Sequence, residues 1–341
     1  MVTIRDVAER AGVSASTVSH VINQTRRVRA DTRERVLQAM HELDYQPNRL
    51  ARSLRNRRTQ TLGVLLPNNA NPFFALVLGG IEAAAYDHDY NVILGNANDD
   101  PARELAYLDI LLSKQVDGVV LVSTGADPQV LDFLAARNTP VVMVDRSPGD
   151  AYEDFPVDTV FTENMQGGLL ATEYLIGLGH QRIACISGPS RINSSAARVV
   201  GYRQALAAAG LACDERLIVT GDFQHESGYR ACEALLRLPD PPTAIFVCND
   251  LMAVGALCAI HEAGLRVPDD VSVVGFDDVP LASFTVPRLT TVAQPAHELG
   301  VRAVTLLVRR IMKRDVPAHH ELLPVALIKR DSCQPYSGRR L

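Results

Sequence analysis

Two sets of residues in this 341-residue chain have the types and spacing to do chemistry, and they lie far apart in the sequence. The first begins at Ser14. Ala15, Ser16, Ser19, His20 and Asn23 fall on what would be the outward face of one short helix. Small residues let a helix sink into a DNA major groove, where a side chain such as His20 reaches a base edge. Ser14, Thr17 and Asn23 suit phosphate oxygens, as does Arg26. Farther on, Arg49, Arg52 and Arg55 recur every three residues, with Leu50 and Leu54 four apart. Segment 47–58 is too short to hold a helix by itself but would order on a polyanion. Asn48 and Arg55 would then meet the backbone while Leu54 wedges between base steps.

The second set consists of polar and aromatic residues that follow apolar, strand-like runs. They are Asn71-Pro72-Phe73-Phe74, Asp145-Arg146, Arg198, Phe223, Asn249-Asp250, Asp277-Asp278 and Gln294. Carboxylates, guanidinium groups and amides bind adjacent hydroxyls in pairs, and aromatic faces cover the C–H surface of a sugar. A polyol fits that mixture. Competing readings exist: Asp250 and Asp278 as caps of a following helix or turn, single phenylalanines as core, and Asp145 with Asp277 as a glycosidase-like pair.

The elements that must position these groups are legible from periodicity. Thr3 with Asp6 opens a helix whose apolar stripe is Ile4, Val7, Ala8 and Ala11; Gly12 ends it and Ser14 caps a second, with Val18, Val21 and Ile22 inward. A third amphipathic segment, Asp31 to Leu43, brings Val36, Met40 and Leu43 to the same core. The spacing predicts a helix-turn-helix. From Thr61 apolar strands alternate with helices. Strands are expected at 62–66, 91–94, 118–122, 141–144, 183–186, 217–219, 244–247, 271–276 and 289–293. Helices are expected at 72–87, 101–114, 164–178 and 251–263. That rhythm over such a length means two doubly wound parallel sheets, with ligands at the carboxyl ends of their strands.

Bulk properties agree. Residues 1–60 hold 12 arginines against 6 carboxylates, while the rest of the chain holds 22 basic against 33 acidic groups. A basic head on an acidic body points the head at a polyanion. No run of about 18 apolar residues suggests a membrane span, and Met1-Val2-Thr3-Ile4-Arg5-Asp6 lacks an apolar signal core, so a cytoplasmic protein is expected. The six cysteines show no CxxC spacing and are expected as reduced, buried thiols. Without GxSxG, HExxH, a Walker loop or clustered metal ligands, neither an enzyme nor a cofactor is expected.

Thr3-Ile4-Arg5-Asp6-Val7-Ala8, Ala11-Gly12-Val13-Ser14, Thr17 through Asn23 and Tyr45-Gln46-Pro47-Asn48 together resemble the head of the lactose/galactose-repressor family. Ala51-Arg52-Ser53-Leu54 resembles its hinge helix. Asn249 through Gly255, Val273 through Asp278 and Leu289 through Gln294 resemble landmarks of its periplasmic sugar-binding-like effector domain. His20 with small residues at 15 and 16 is more similar to the purine and ribose branches than to the lactose repressor. The resemblance implies a helix-turn-helix domain over 1–46, a hinge over 47–58, an effector domain over 59–335 and a tail over 336–341. Lobe 1 would take 59–159 and 291–321, and lobe 2 would take 160–290 and 322–335. It implies a cytoplasmic homodimer on palindromic double-stranded operator DNA, without a leucine-heptad tetramerising tail. The ribose-type pattern places pentose contacts at Asn71, Phe73, Phe74, Asp145, Arg146, Arg198, Phe223, Asn249, Asp277 and Gln294, leaving the register around Asn98-Asp99-Asp100 open. Ribose or a related sugar acting as inducer is the expected effector. A purine or nucleoside corepressor is the alternative within the family, and a sugar-transport protein the alternative outside it.

Overall fold

Thr3 starts the first helix as its spacing predicts. Its N–H and its hydroxyl both donate to the Asp6 carboxylate, at 2.7 and 2.9 Å, over α1 (Ile4–Ala11). Gly12 turns the chain out of α1 at φ 65°, a left-handed backbone that glycine adopts without a Cβ clash. α2 (Ala15–Asn23) follows, and α3 (Ala30–Glu42) closes the group. Val7, Ala8, Ala11, Val18, Val21, Val36 and Ala39 form its core, with Ile4, Ile22, Met40 and Leu43 packed at the edge. Arg10 on α1 reaches Glu42 on α3 at 2.7 Å.

A computed structural model describes residues 2–23, 26–45, 58–122, 128–145, 157–313 and 316–338. The chain forms two compact units, Met1–Thr59 and Gln60–Leu341. The hinge expected over 47–58 lies, apart from Arg58, outside the described residues.

The second unit contains two six-stranded sheets. The first is built from β1 (Thr61–Leu66), β2 (Asn91–Asn96), β3 (Gly118–Leu121), β4 (Val141–Val144), β5 (Asp158–Thr162) and β11 (His320–Leu323). Its order is β11-β5-β4-β3-β1-β2. The second holds β6 (Ile183–Ser187), β7 (Ile218–Thr220), β8 (Ala244–Val247), β9 (Ser272–Asp277), β10 (Thr290–Ala293) and β12 (Ala326–Ile328), in the order β12-β10-β9-β8-β6-β7. The helices are α4 (Pro72–Asp87), α5 (Pro101–Ser113), α6 (Pro128–Ala135), α7 (Asn164–Gly177), α8 (Asn193–Ala208), α9 (His225–Leu236), α10 (Asp250–Glu262) and α11 (Ala296–Met312). α4 packs on α11, α7 on α8 and α9 on α10. The central strands are apolar on both faces because helices cover both.

The structure departs from expectation in several places. β12 runs antiparallel to β10 rather than parallel. The chain also changes lobe slightly later than the expected 159, 290 and 321: β5 stays in the first sheet to Thr162, β10 in the second to Ala293, and β11 in the first to Leu323. Tyr336, expected to begin a tail, donates its N–H to the Leu178 carbonyl at 2.8 Å. Its ring lies 5.7 Å from buried His180, whose pKa burial holds below the usual histidine value. Of the cysteines, Cys185, Cys232 and Cys248 are buried, but Cys213 and Cys258 are exposed. Among the described residues no helix is long and apolar enough to cross a membrane.

One buried ion pair locks the first lobe. Asp158, at the start of β5, receives Nε and Nη2 of Arg310 at 2.6 and 2.8 Å and the His319 N–H at 2.8 Å. Removing one partner strands a charge away from water. Arg310→Met is expected to lower the unfolding free energy by about 3–5 kcal/mol in urea denaturation. A change below about 0.5 kcal/mol, typical of surface sites, would contradict that role.

Candidate nucleic-acid interface and ligand cleft

α2 begins with a knot of hydroxyls. The Ser14 hydroxyl accepts the Thr17 N–H at 3.2 Å and lies 2.8 Å from both the Ser16 and Thr17 hydroxyls. Ser14 therefore caps the helix, fixing its first turn. Ser14 and Ser16 are exposed, and Thr17, Ser19 and His20 half-buried. Ala15, expected on the outward face, instead packs against the small core. Arg26 is exposed. The Asn23 side chain, Asn48, Leu54 and Arg55 lie outside the described residues.

The cleft of the second unit gathers residues from both lobes. Asn68, Asn71, Phe73 and Phe74 follow β1, Asp99 follows β2, and Asp145 follows β4. Ser194 and Arg198 follow β6, Phe223 and Gln224 follow β7, Asn249 follows β8, and Asp277 ends β9. Each lies at the carboxyl end of a strand or in the first turns of the helix that follows it, the side on which doubly wound sheets bind ligands. They line one common cavity.

Eight of the ten expected contacts meet there: Asn71, Phe73, Phe74, Asp145, Arg198, Phe223, Asn249 and Asp277. Arg146 lies outside the described residues. Gln294 does not line the cleft but sits behind it, donating from Nε2 to Asp277 Oδ1 at 2.7 Å. Asn68, Asp99, Ser194 and Gln224 were not anticipated. Asp99 occupies the stretch whose register the sequence left open; its carboxylate accepts from Asn68 Nδ2 at 2.8 Å. Ser194 and Gln224 lie beyond their strands, at the starts of α8 and α9.

Local structure explains the wall. Asn71 caps α4 by accepting the Phe73 N–H at 3.0 Å, which sets Phe73 and Phe74 edge to face with centroids 5.3 Å apart. Asn249, not Asp250, caps α10: it accepts the Met252 N–H and donates to the Phe223 carbonyl, both at 3.0 Å. Asp278 pairs with Arg330 at 2.6 Å rather than facing the cleft. Asp145, Phe223 and Asp277 have φ of 68°, 69° and 117°, left-handed values unusual for residues with a Cβ. Such strain, about 1–3 kcal/mol per residue, persists where the surroundings over-determine it, commonly at functional sites. A Cβ at Gly188 would overlap the Phe223 ring, so a larger residue there would displace that ring from its present position.

Arg198 is the buried cation. It donates from Nε to Asn164 Oδ1 at 2.8 Å and from Nη1 to the Cys248 carbonyl at 2.5 Å, and its Cζ lies 3.8 Å from the centre of the Phe276 ring. Its Nη1 is 3.7 Å from Asp277 Oδ1. Burial lifts the Asp277 carboxyl to about 7; Arg198 and Gln294 oppose the rise and Asp145 adds to it. Behind it, burial and the charge of Asp277 push Asp250 well above the carboxylate range. Its oxygens receive the Thr291 hydroxyl at 2.6 Å and the Val279 N–H at 2.9 Å.

Comparison with known proteins places both parts. Residues 3–48 match the lacI family of bacterial regulatory proteins, and residues 172–333 match the periplasmic binding protein-like domain. The HTH-type transcriptional repressor PurR of Erwinia tasmaniensis is 42% identical over 343 residues, covering 100% of each chain. The lac repressor dimer bound to operator and the anti-inducer ONPF is 34% identical with a TM-score of 0.86, covering 98% of this chain and 99% of that one. A LacI family transcriptional regulator from Enterococcus faecium with bound ribose is 31% identical with a TM-score of 0.74, covering 81% of this chain and 100% of that one. The ribose-bound protein is thus the more distant relative, and the expected nearness to the ribose type is not supported.

The Asp277 carboxyl makes the second unit sensitive to pH. Raised in the folded state, it favours folding while protonated, and that contribution is lost as pH rises from the unfolded value of about 4 through 7. Asp277→Asn removes the titration. Between pH 5 and pH 8 the stability of the variant relative to wild type is expected to improve by about 1–3 kcal/mol, read by denaturant unfolding. A difference independent of pH would show that Asp277 does not titrate there.

Proposed function

The chain belongs to the lacI family of bacterial regulatory proteins, and from that premise we propose a homodimeric repressor whose cleft takes a purine base or nucleoside as effector. Its coarse role is that of the family: a DNA-binding repressor under small-molecule control, not an enzyme. In the proposed assembly α2 enters the major groove of each operator half-site, and the two-fold symmetry of the dimer matches a palindrome. Ser16, Ser19 and His20 face base edges, while Ser14, Thr17 and Arg26 serve the phosphates. Asn23, Asn48, Leu54 and Arg55 complete the DNA-binding set.

The composition of the cleft carries the effector reading. Phe73, Phe74 and Phe223 supply aromatic walls for a flat ring, and Asn249, Arg198 and Asp277 supply donors and acceptors. With its pKa near 7, the Asp277 carboxyl donates when protonated and accepts when ionised, which suits a heterocycle presenting N–H beside C=O. The full-length identity of 42% to a PurR repressor, against 31% to the ribose-bound regulator, supports the same choice. A sugar effector is the second reading, favoured by that ribose-bound structure and by the fit of paired carboxylate and guanidinium groups to neighbouring hydroxyls.

A thermal-shift screen against hypoxanthine, adenine, inosine and ribose separates the two readings, because a ligand of the folded state raises the melting temperature by mass action. Hypoxanthine, adenine or inosine is expected to shift it and ribose not; a shift with ribose alone would replace the purine reading with the sugar one. Arg198→Ala should abolish the shift while its melting transition stays cooperative, showing that the variant is folded. Survival of the shift would remove Arg198 from the effector site.

A further inference from the structure

The polar side chains behind the cleft form one hydrogen-bonded circuit that passes through the connections between the lobes. Three connections join the two sheets, at Glu163, at Gln294-Pro295 and at Pro324-Val325. Thr162 ends β5, and its hydroxyl donates to Gln294 Oε1 at 2.5 Å, linking the first connection to the second. The Glu163 N–H donates to the Leu323 carbonyl at 3.1 Å, linking the first to the third. From Gln294 the circuit runs through Nε2 to Asp277 in the cleft. From Thr162 it runs the other way: Asn164 Nδ2 donates to the Thr162 hydroxyl at 3.3 Å, and Asn164 Oδ1 accepts from Arg198. Arg198 and Asp277 then face each other across 3.7 Å. All five side chains are buried; Gln294 does not line the cleft, and Thr162 lines an adjoining cavity that shares Asp145 and Ser194 with it.

We propose that Thr162 and Gln294 are positioning residues that convert the state of the cleft into the angle between the lobes, without touching the effector. Both ends of the Gln294 amide are engaged, one by each lobe, so its orientation depends on what Asp277 offers. An ionised Asp277 accepts from the amide, which leaves the amide oxygen for the Thr162 proton. An effector that favours the protonated carboxyl, with its proton on the oxygen facing Gln294, turns that acceptor into a donor. The amide then reverses, Thr162 must accept where it had donated, and its proton needs a partner elsewhere at the connection. A buried polar group left unpaired costs about 1–3 kcal/mol, enough to tilt an equilibrium between two lobe angles. The inference rests on the cleft being the effector site.

Its test needs no knowledge of the effector. Asp277→Asn replaces the end of the circuit with a permanently neutral amide, and Thr162→Val breaks the circuit while keeping the volume nearly unchanged. Operator affinity of the full-length wild type, each variant and the double variant is measured by fluorescence anisotropy. Thermal melts confirm folding, and Thr162→Ser serves as the conservative control. Asp277→Asn is expected to change operator affinity by about fivefold or more. In the Thr162→Val background the change should fall within about twofold, and Thr162→Ser should restore it. An equal effect of Asp277→Asn with and without Thr162, no effect in either background, or Thr162→Ser behaving as Thr162→Val would overturn the proposal. Separately, calorimetry with hypoxanthine and with ribose on the wild type reads whether the cleft takes either. Wild-type protein binding neither would overturn the effector reading while leaving the mutant cycle to judge the circuit.

Discussion

A guanidinium and a carboxylate, both almost fully removed from water, stand 3.7 Å apart at the back of the cleft, beyond direct hydrogen-bond reach. Neither would be stable there alone, since burying an unpaired charge costs several kcal/mol. Arg198 is held by the Asn164 amide, the Cys248 carbonyl and the Phe276 ring, and Asp277 by Gln294. The pair thus joins the ends of β8 and β9 and the helices α7 and α8 to the connections between the lobes. Any molecule entering the cleft meets a charge balance already close to its turning point, because burial has brought Asp277 to about 7.

The duplicated lobe makes such a site possible. Each sheet carries the same strand order around its first strand, and each delivers its polar loops at the carboxyl ends. Phe73 and Phe74 come from one lobe and Phe223 from the other, so the aromatic walls belong to different rigid bodies of strands and helices. A ligand gripping both lobes acts on the angle between them. It changes DNA affinity only to the extent that it prefers one angle.

Much of this was legible in the sequence, for reasons that differ by element. The helix-turn-helix could be read because Thr3, Gly12 and Ser14 are local signals that act within one turn of themselves. The core strands could be read as continuous apolar runs. β5 was missed because Asp158-Thr159-Val160-Phe161-Thr162 reads as a polar stretch; its Asp158 is tolerable only with Arg310, 152 residues away. The cleft residues Asn71, Asp145, Phe223, Asn249 and Asp277 announced themselves by following strands. Asp99, Ser194 and Gln224 did not, since left-handed turns and helix starts bring them in. Gln294 shows the limit of reading a family pattern: its position in the chain is that of a contact, but its amide is consumed by Thr162 and Asp277. Ribose was an inference of the same kind, and the relatives do not support it.

The central claim is that cleft and DNA-reading head share one free energy. Calorimetric titration of hypoxanthine into the free protein and into its operator complex tests it most directly, because linkage requires the two affinities to differ by the factor with which the effector alters operator binding. A difference of about tenfold, matching the change in operator affinity measured independently, is the predicted result. Binding of equal strength in both states would contradict the account, however tightly the molecule is held.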